Sequence, residues 1–401
     1  MAQTSAQQMR AWRGPALFSY GFRPFFLFGA IWLVLAMLIW LAALGGVVDL
    51  PTRFDPVSWH AHEFLFGYLG AVLAGFLLTA VPNWTGRLPI VGWPLAGLFA
   101  LWFIGRVAVF FAAHLPVLVT PVVDLAFPLV LGGVILREIV VGKNWNNLIV
   151  LGMLAVFALA NGLFHGEALQ GEYAAKGIGL RLGLATAVMM ISVIGGRIIP
   201  SFTRNWLARI ENPARPSPPM QRFDKVVLLS SLLILVLWVL KPFALQTGIA
   251  LILFSLLHLV RLVRWQGHHT LSEPLVWVLH ASYAFIPIGA FALGLDQLAG
   301  NPGSAGAQHL WMAGAIAAMT LAVMTRATLG HTGQPLLADR ATVVIYLCVF
   351  GSAFARLWAS VWPHMSYLSG ILWLVAFAGF AVTYGPLLLY RKPGKSVDPK
   401  G

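Results

Sequence analysis

"WHAHEFLFGYLGAVLAGFLLTAVPNWTGR", Trp59–Arg87, opens with two histidines and a glutamate and then carries no charge until its last residue. A stretch of that length and polarity suits one bilayer-spanning α-helix, which needs about 20 apolar residues at a rise of about 1.5 Å each. Ionisable groups at the mouth of such a helix are costly there. They need a partner, a water-filled pocket or a metal. Which of these serves His60, His62 and Glu63 depends on where the rest of the 11 histidines fall.

The surrounding chain has the same character. Its 401 residues are 59% hydrophobic and only 10% charged, with a mean hydropathy of +0.82. That balance excludes a soluble globular protein and implies a polytopic membrane protein. The single cysteine, Cys348, lies in an apolar run, which excludes a disulfide framework or an iron–sulfur site held by several cysteines. The start, "MAQTSAQQMRAWRGPALFSYGFRPFF", stays polar and basic too long for a cleavable signal. A net charge of +13 could suggest nucleic acid, but in a membrane chain it reads as Lys and Arg held on the cytoplasmic side, with no nucleic-acid partner.

Apolar runs fall at 26–46, 59–81, 92–112, 116–137, 147–166, 178–200, 225–241, 245–264, 273–295, 308–326, 341–359 and 366–389. The expected fold is therefore all-α, with twelve transmembrane helices and both termini on one side. Of the 26 Lys and Arg, twenty fall on that side, among them Arg87, Arg391 and Lys392. Five (Arg53, Lys176, Arg181, Lys241 and Arg356) fall opposite, and Arg106 lies inside a span. The asymmetry makes the first side cytoplasmic. One transmembrane domain over 1–401 is expected, with helices 1–6 in 1–203, a Pro- and Arg-rich cytoplasmic connector at 204–225, and helices 7–12 in 226–401. No repeat relates the two six-helix halves, so an inverted-repeat transporter gains no support.

Helix direction sorts the histidines by depth. His60, His62, His165 and His309 share a level near the outer face, on three helices. They form the expected metal site, since neutral imidazole suits haem iron and copper. His309 and Met312, at i, i+3, could add a cuprous pair. His258 and His280 lie at a similar depth toward the cytoplasm, with His331 in the loop beyond, and make a second candidate cofactor site. Each histidine could instead only hydrogen-bond across a helix interface.

At 100° per residue His60, Glu63, Gly67, Gly70 and Ala74 share one face of helix 2, and His62, Phe66, Leu69, Leu73 and Phe76 another. The bare stripe admits a neighbouring helix or a flat macrocycle. Glu63 reads either as a partner for a cation or metal, or as a proton-carrying catalytic carboxyl. Below the stripe, Trp84 and Arg87 suit an interfacial anchor. Near the cytoplasmic helix ends, Arg197, Arg204 and Arg326 could hold an anion such as a haem propionate, or snorkel to lipid phosphate. Arg106 and Asp124, buried on helices 3 and 4, could neutralise one another.

Seven stretches together resemble the NnrS family of membrane proteins: "SYGFRPFFLFGAIW", "DPVSWHAHEFLFGY", "AGFLLTAVPNWTGRLP", "NGLFH", "GGRIIPSFTRNWL", "EPLVWVLHASYAFIPIG" and "MTLAVMTRATLGHTGQPL". The resemblance spans nearly the whole chain in order. It implies a bacterial inner-membrane protein containing haem, taken as b type, and copper, associated with denitrification and nitric oxide resistance. The leading expectation is reduction of nitric oxide to nitrous oxide, with electrons from quinol or a periplasmic donor and protons through Glu63. The rival expectations are a transporter or efflux protein for a nitrosyl-iron or metal species, and a membrane nitric oxide sensor.

Overall fold

The computed structural model describes residues 12–85, 89–300 and 304–390; Arg87, Arg391 and Lys392 lie outside them, as does the side chain of Trp84. Twelve helices are long and apolar enough to cross a membrane. In chain order they are α1 Phe22–Leu44, α2 Pro56–Pro82, α3 Trp93–Phe110, α4 Val119–Val141, α5 Trp145–Leu169 and α6 Ile178–Arg209. Then come α7 Arg222–Leu240, α8 Leu245–Val263, α9 Pro274–Leu298, α10 Ala305–His331, α11 Arg340–Trp358 and α12 Met365–Leu389. No strand occurs among the described residues. The twelve helices match the twelve expected runs one for one.

Consecutive helices pack side by side, and α12 returns to pack on α1, so the bundle closes on itself. Arg23, at the start of α1, fastens the closure by donating to the carbonyls of Leu387, Leu388 and Tyr390 at the end of α12. Those carbonyls have no partner within their own helix, so a fixed guanidinium satisfies them at low cost.

Burial divides the helices into two classes. In α2, α6, α9 and α10 two-thirds or more of the apolar window is buried inside the protein. The others are buried over less than half and turn rows such as Leu229, Leu233 and Val236 of α7 outward. Small residues let inner helices approach their neighbours closely. A Cβ on Gly179 would lie 2.4 Å from the backbone of Phe164, for example. The four inner helices also carry His60, His62, His280, His309 and His331.

Two helices run further than expected. α6 continues through Pro200 to Arg209, so Arg204 lies on a helix and not in a connector. The hydroxyls of Ser201 and Thr203 bond back to the carbonyls of Arg197 and Ile199 around the proline, which helps the helix tolerate the lost N–H. α10 likewise holds its helix to His331.

The inner helices α2 and α10 share an irregularity. Asp55 caps α2, its carboxylate accepting from Val57 and Ser58 N–H, with Pro56 in the first turn. A regular helix then runs only to His62, and Glu63–Tyr68 is a π-helical turn. In α10 the π turn, Leu310–Ala317, follows His309 directly. Each π turn adds a residue to the helical circuit and shifts the register of everything beyond it, a feature concentrated at functional sites.

Candidate metal and cofactor sites

The four histidines expected in one outer cluster form two pairs on opposite sides of α2. Residues two apart on a helix point about 200° apart, so His60 and His62 could not face one centre without a break between them.

His62 points into the first half of the bundle. Its ring lies 5.0 Å, centroid to centroid, from that of His165 on α5. Asp124 of α4 sits between them, Oδ2 being 3.2 Å from His62 Nε2 and 3.0 Å from His165 Nε2. The three offer ligand atoms within 4.8 Å of one another, and all are buried. Arg106 of α3 donates to the other oxygen of Asp124 and, at 2.8 Å, to Glu63 Oε1. Glu63 also accepts from Trp32 Nε1 at 2.7 Å and faces His62 Nδ1 at 3.0 Å.

The hydrogen-bond directions in this cluster favour a cation. Asn161 donates its amide to Asp124 Oδ2 at 2.8 Å, so its carbonyl oxygen faces His62 Nε2 at 2.9 Å. Both nitrogens of His62 therefore face oxygen acceptors. A neutral ring that gives its Nδ1 proton to Glu63 leaves the Nε2 lone pair pointing at oxygen lone pairs. A cation placed there, a second proton or a metal ion, resolves the repulsion. The charge count agrees, since Glu63 and Asp124 share one Arg106 and leave an uncompensated negative charge in a buried site. Two imidazoles and a carboxylate suit a divalent first-row ion, with Glu63 as the outer carboxylate that orients His62.

His60 faces the opposite way, into a cavity of about 190 Å³ lying where α1, α2, α10, α11 and α12 meet. Its ring stacks on Trp40 at 4.5 Å and lies 11° from parallel with His309, with centroids 6.3 Å apart. His309 gives its Nδ1 proton to the Ala305 carbonyl at 2.6 Å, which leaves Nε2 as the lone-pair nitrogen. His60 Nδ1 is buried without a hydrogen-bond partner. Met312 lines the same cavity, as does Arg356 of α11, which has no carboxylate in ion-pair range among the described residues.

The geometry changes the meaning of the helix 2 stripe. Val57, His60, Ala61, Phe64 and Tyr68 line the cavity, whereas Glu63 and Gly67 turn toward Arg106. A Cβ on Gly67 would lie 2.5 Å from Arg106 Nη1, so the bare position makes room for a guanidinium.

The inner histidines do not pair. His258 Nδ1 accepts from the Tyr283 hydroxyl at 2.8 Å, because that oxygen already accepts from Arg261. Its Nε2 donates to Ser231, whose own proton goes to the Val227 carbonyl. Both ring nitrogens are thereby satisfied. His280 Nε2 donates to Thr203 at 2.7 Å, and its Nδ1 is buried without a partner, against Gly267. Trp265 packs on Tyr283 at 4.6 Å and lies 6.4 Å from His280.

Arg197, Arg204, Arg326 and His331 lie toward the ends of α6 and α10, away from the cavity. Arg326 sits over Phe202 at 4.2 Å, and His331 packs on Tyr20 and Phe22. Sequence reasoning passed over Asn161, Trp32 and Arg356. Only Asn161 had a signal, as an amide one helical turn from His165 within an apolar run.

These features define a polytopic α-helical membrane protein with a buried histidine–carboxylate cluster of metal-binding type beside a histidine-lined cavity. The chain belongs to the NnrS family, whose model, described as NnrS protein, matches residues 16–392. That family is linked to the response to nitric oxide. None of the curated proteins compared with the chain matches it.

Proposed function

We propose that this protein removes nitric oxide in the bacterial inner membrane by reducing it to nitrous oxide, with haem in the His60–His309 cavity and copper at His62, Asp124 and His165. The observation that carries the reading is the pair of near-parallel imidazoles facing one cavity. With their centroids 6.3 Å apart, His60 and His309 would hold the haem iron between them. The cavity walls fit a planar, partly anionic group: Trp40 and Trp373 are aromatic, Ala313, Ala317 and Gly370 are small, and Arg356 supplies an unpaired guanidinium for a propionate.

The two histidines take different parts. The Ala305 carbonyl fixes the tautomer of His309, the usual support of a permanent ligand. His60, whose Nδ1 lacks such support, would hold the haem less firmly. Arg356 replaces the cytoplasmic arginines as propionate partner, and a single haem suffices. His258 has no free nitrogen lone pair, so we place no haem at His258 and His280.

When bound, haem and copper supply redox metal to which nitric oxide coordinates. Two nitric oxide molecules, two electrons and two protons give one nitrous oxide and one water. The chain itself orients and shields. His62 is held by Glu63, Glu63 is held by Trp32 and Arg106, and the proton on the His62–Glu63 hydrogen bond is the nearest to the metal cluster. Quinol or a periplasmic carrier supplies electrons from the outer side.

The test is anaerobic spectroscopy of the reduced, purified protein with and without nitric oxide, followed for nitrous oxide release. A Soret band that shifts with nitric oxide and decays as nitrous oxide forms supports the reading. A shift without product favours sensing. A cavity at the junction of the two halves also suits transport, and vesicle uptake of a nitrosyl-iron species by haem-free protein would favour that.

A further inference from the structure

A second opening reaches toward the same cavity from the side. Between α2, α6 and α10 lies a crevice of about 70 Å³ walled by hydrocarbon and methionine side chains. Its outer rim is formed by the half-buried Phe76, Ile194, Ile198 and Val323. Its floor is fully buried and ends at Ile316, in the π turn of α10. Thr320, the polar residue in its wall, turns its hydroxyl away, bonded to Tyr68 at 2.8 Å and to the Ala317 carbonyl.

Ile316 and Tyr68 separate the crevice from the cavity. Ile316 lines both spaces, and Tyr68 lines the cavity while its hydrogen-bond partner Thr320 lines the crevice. The cavity therefore has two approaches of opposite chemistry. The one past Gln308, Ser366 and Arg356 is polar and suits water, protons and anions. The other is apolar throughout and starts at half-buried hydrocarbon side chains of α2, α6 and α10.

We infer that the crevice is the entry site for the small apolar gas consumed in the cavity, admitted from the bilayer past Ile316. The inference rests on the proposed reading of the cavity as the haem site. Its physical basis is partition: an uncharged diatomic with almost no hydrogen-bonding capacity is more concentrated in hydrocarbon than in water. A dry crevice keeps that advantage up to the cavity wall, whereas the polar mouth would reverse it. The buried shape fits a diatomic in transit. A lipid acyl chain is the competing occupant.

The test uses full-length protein in nanodiscs, with Ile194→Trp to fill the rim and Val382→Trp, at a site 77% exposed on α12, as a lipid-facing control. Xenon under pressure, followed by 129Xe resonance and by diffraction, is expected to occupy the crevice of the wild type and the control but not Ile194→Trp. After flash photolysis, carbon monoxide and nitric oxide are expected to rebind the reduced haem severalfold more slowly in Ile194→Trp, with an unchanged equilibrium spectrum. Unaltered rebinding with the crevice filled, or an acyl chain in place of xenon, would overturn the inference. Protein without a Soret band sinks the cavity reading, while xenon occupancy still decides whether the crevice takes apolar gas.

Discussion

The imidazole of His60 lies within 11° of parallel to that of His309, 6.3 Å away across the cavity, although the two residues are far apart in the chain. Asp55 and Pro56 place one ring, and Ser304, which caps α10 by accepting from the Ala307 N–H, places the other. Each ring sits about one turn inside its helix and just before or at the onset of a π turn. Two helix ends with similar local design thus present similar rings to one space.

That relationship separates the two histidines by experiment. His309→Ala should abolish haem incorporation, measured as pyridine haemochrome per protein. His60→Ala should retain haem but convert it from a low-spin to a high-spin signal in electron paramagnetic resonance, and bind nitric oxide faster. Wild-type content and spectrum in both variants would remove the cavity from consideration. Loss of haem in His258→Ala instead would move it to the inner histidines.

Arg356 should matter for affinity more than for spectrum. A hydrogen-bonded charge pair contributes about 1.5–3 kcal/mol, so Arg356→Gln should weaken haem retention by about tenfold to a hundredfold. The readout is haem transfer to an apoprotein scavenger. The same change at Arg204, on the far reach of α6, should leave transfer unaltered.

The polar cluster makes a separate claim about metal. His165→Gln keeps a polar side chain beside Asp124 but changes the donor set, so bound copper by mass spectrometry should fall while haem stays constant. Asp124→Asn should lower copper too, and it also removes a partner of Arg106. Copper and haem lost together from every variant would mean one centre, not two.

Much of this was legible in the chain, and the reason is the bilayer. Apolar length alone specifies a span, so all twelve helices could be read from hydropathy. That His60 shares a level with His309, and His62 with His165, followed from helix direction, and their azimuth did not. Azimuth around α2 depends on the π turn at Glu63–Tyr68, whose extra residue leaves no mark in composition. Pairing across helices was equally hidden. Arg106 and Asp124 could be matched because few charges lie inside spans, but for the third member, Glu63, the chain left a cation partner and a proton-carrying carboxyl equally open. Arg356 was hidden because, at a helix end, it counted only toward the charge asymmetry between the two sides.

The ion-pair cluster should also carry measurable stability. Arg106 is buried and bonded to two carboxylates on different helices. Arg106→Met leaves both unpaired, and breaking a buried pair in this way costs about 3–5 kcal/mol. Thermal unfolding in nanodiscs should show a marked loss. Arg106→Met combined with Asp124→Asn should recover part of it, because fewer buried charges then lack a partner. Equal stability in the single and double variants would mean that the cluster relaxes into water.

Gly67 supplies the finest probe of that cluster, because it is tested by a single methyl group. The added Cβ of Gly67→Ala would lie 2.5 Å from Arg106 Nη1 and 2.9 Å from Glu63 Oε2. Ordinarily a long arginine could swing aside. Here its other terminal nitrogen holds Asp124, so moving it stretches one ion pair or the other. Overpacking of this kind costs about 1–3 kcal/mol, against the gain of under 1 kcal/mol that alanine brings to a helix interior. Gly132→Ala on α4, with nothing within 4 Å of the new carbon, should show only the gain. A Gly67→Ala protein as stable as Gly132→Ala, with full copper content, would show that the guanidinium is not held between the two carboxylates.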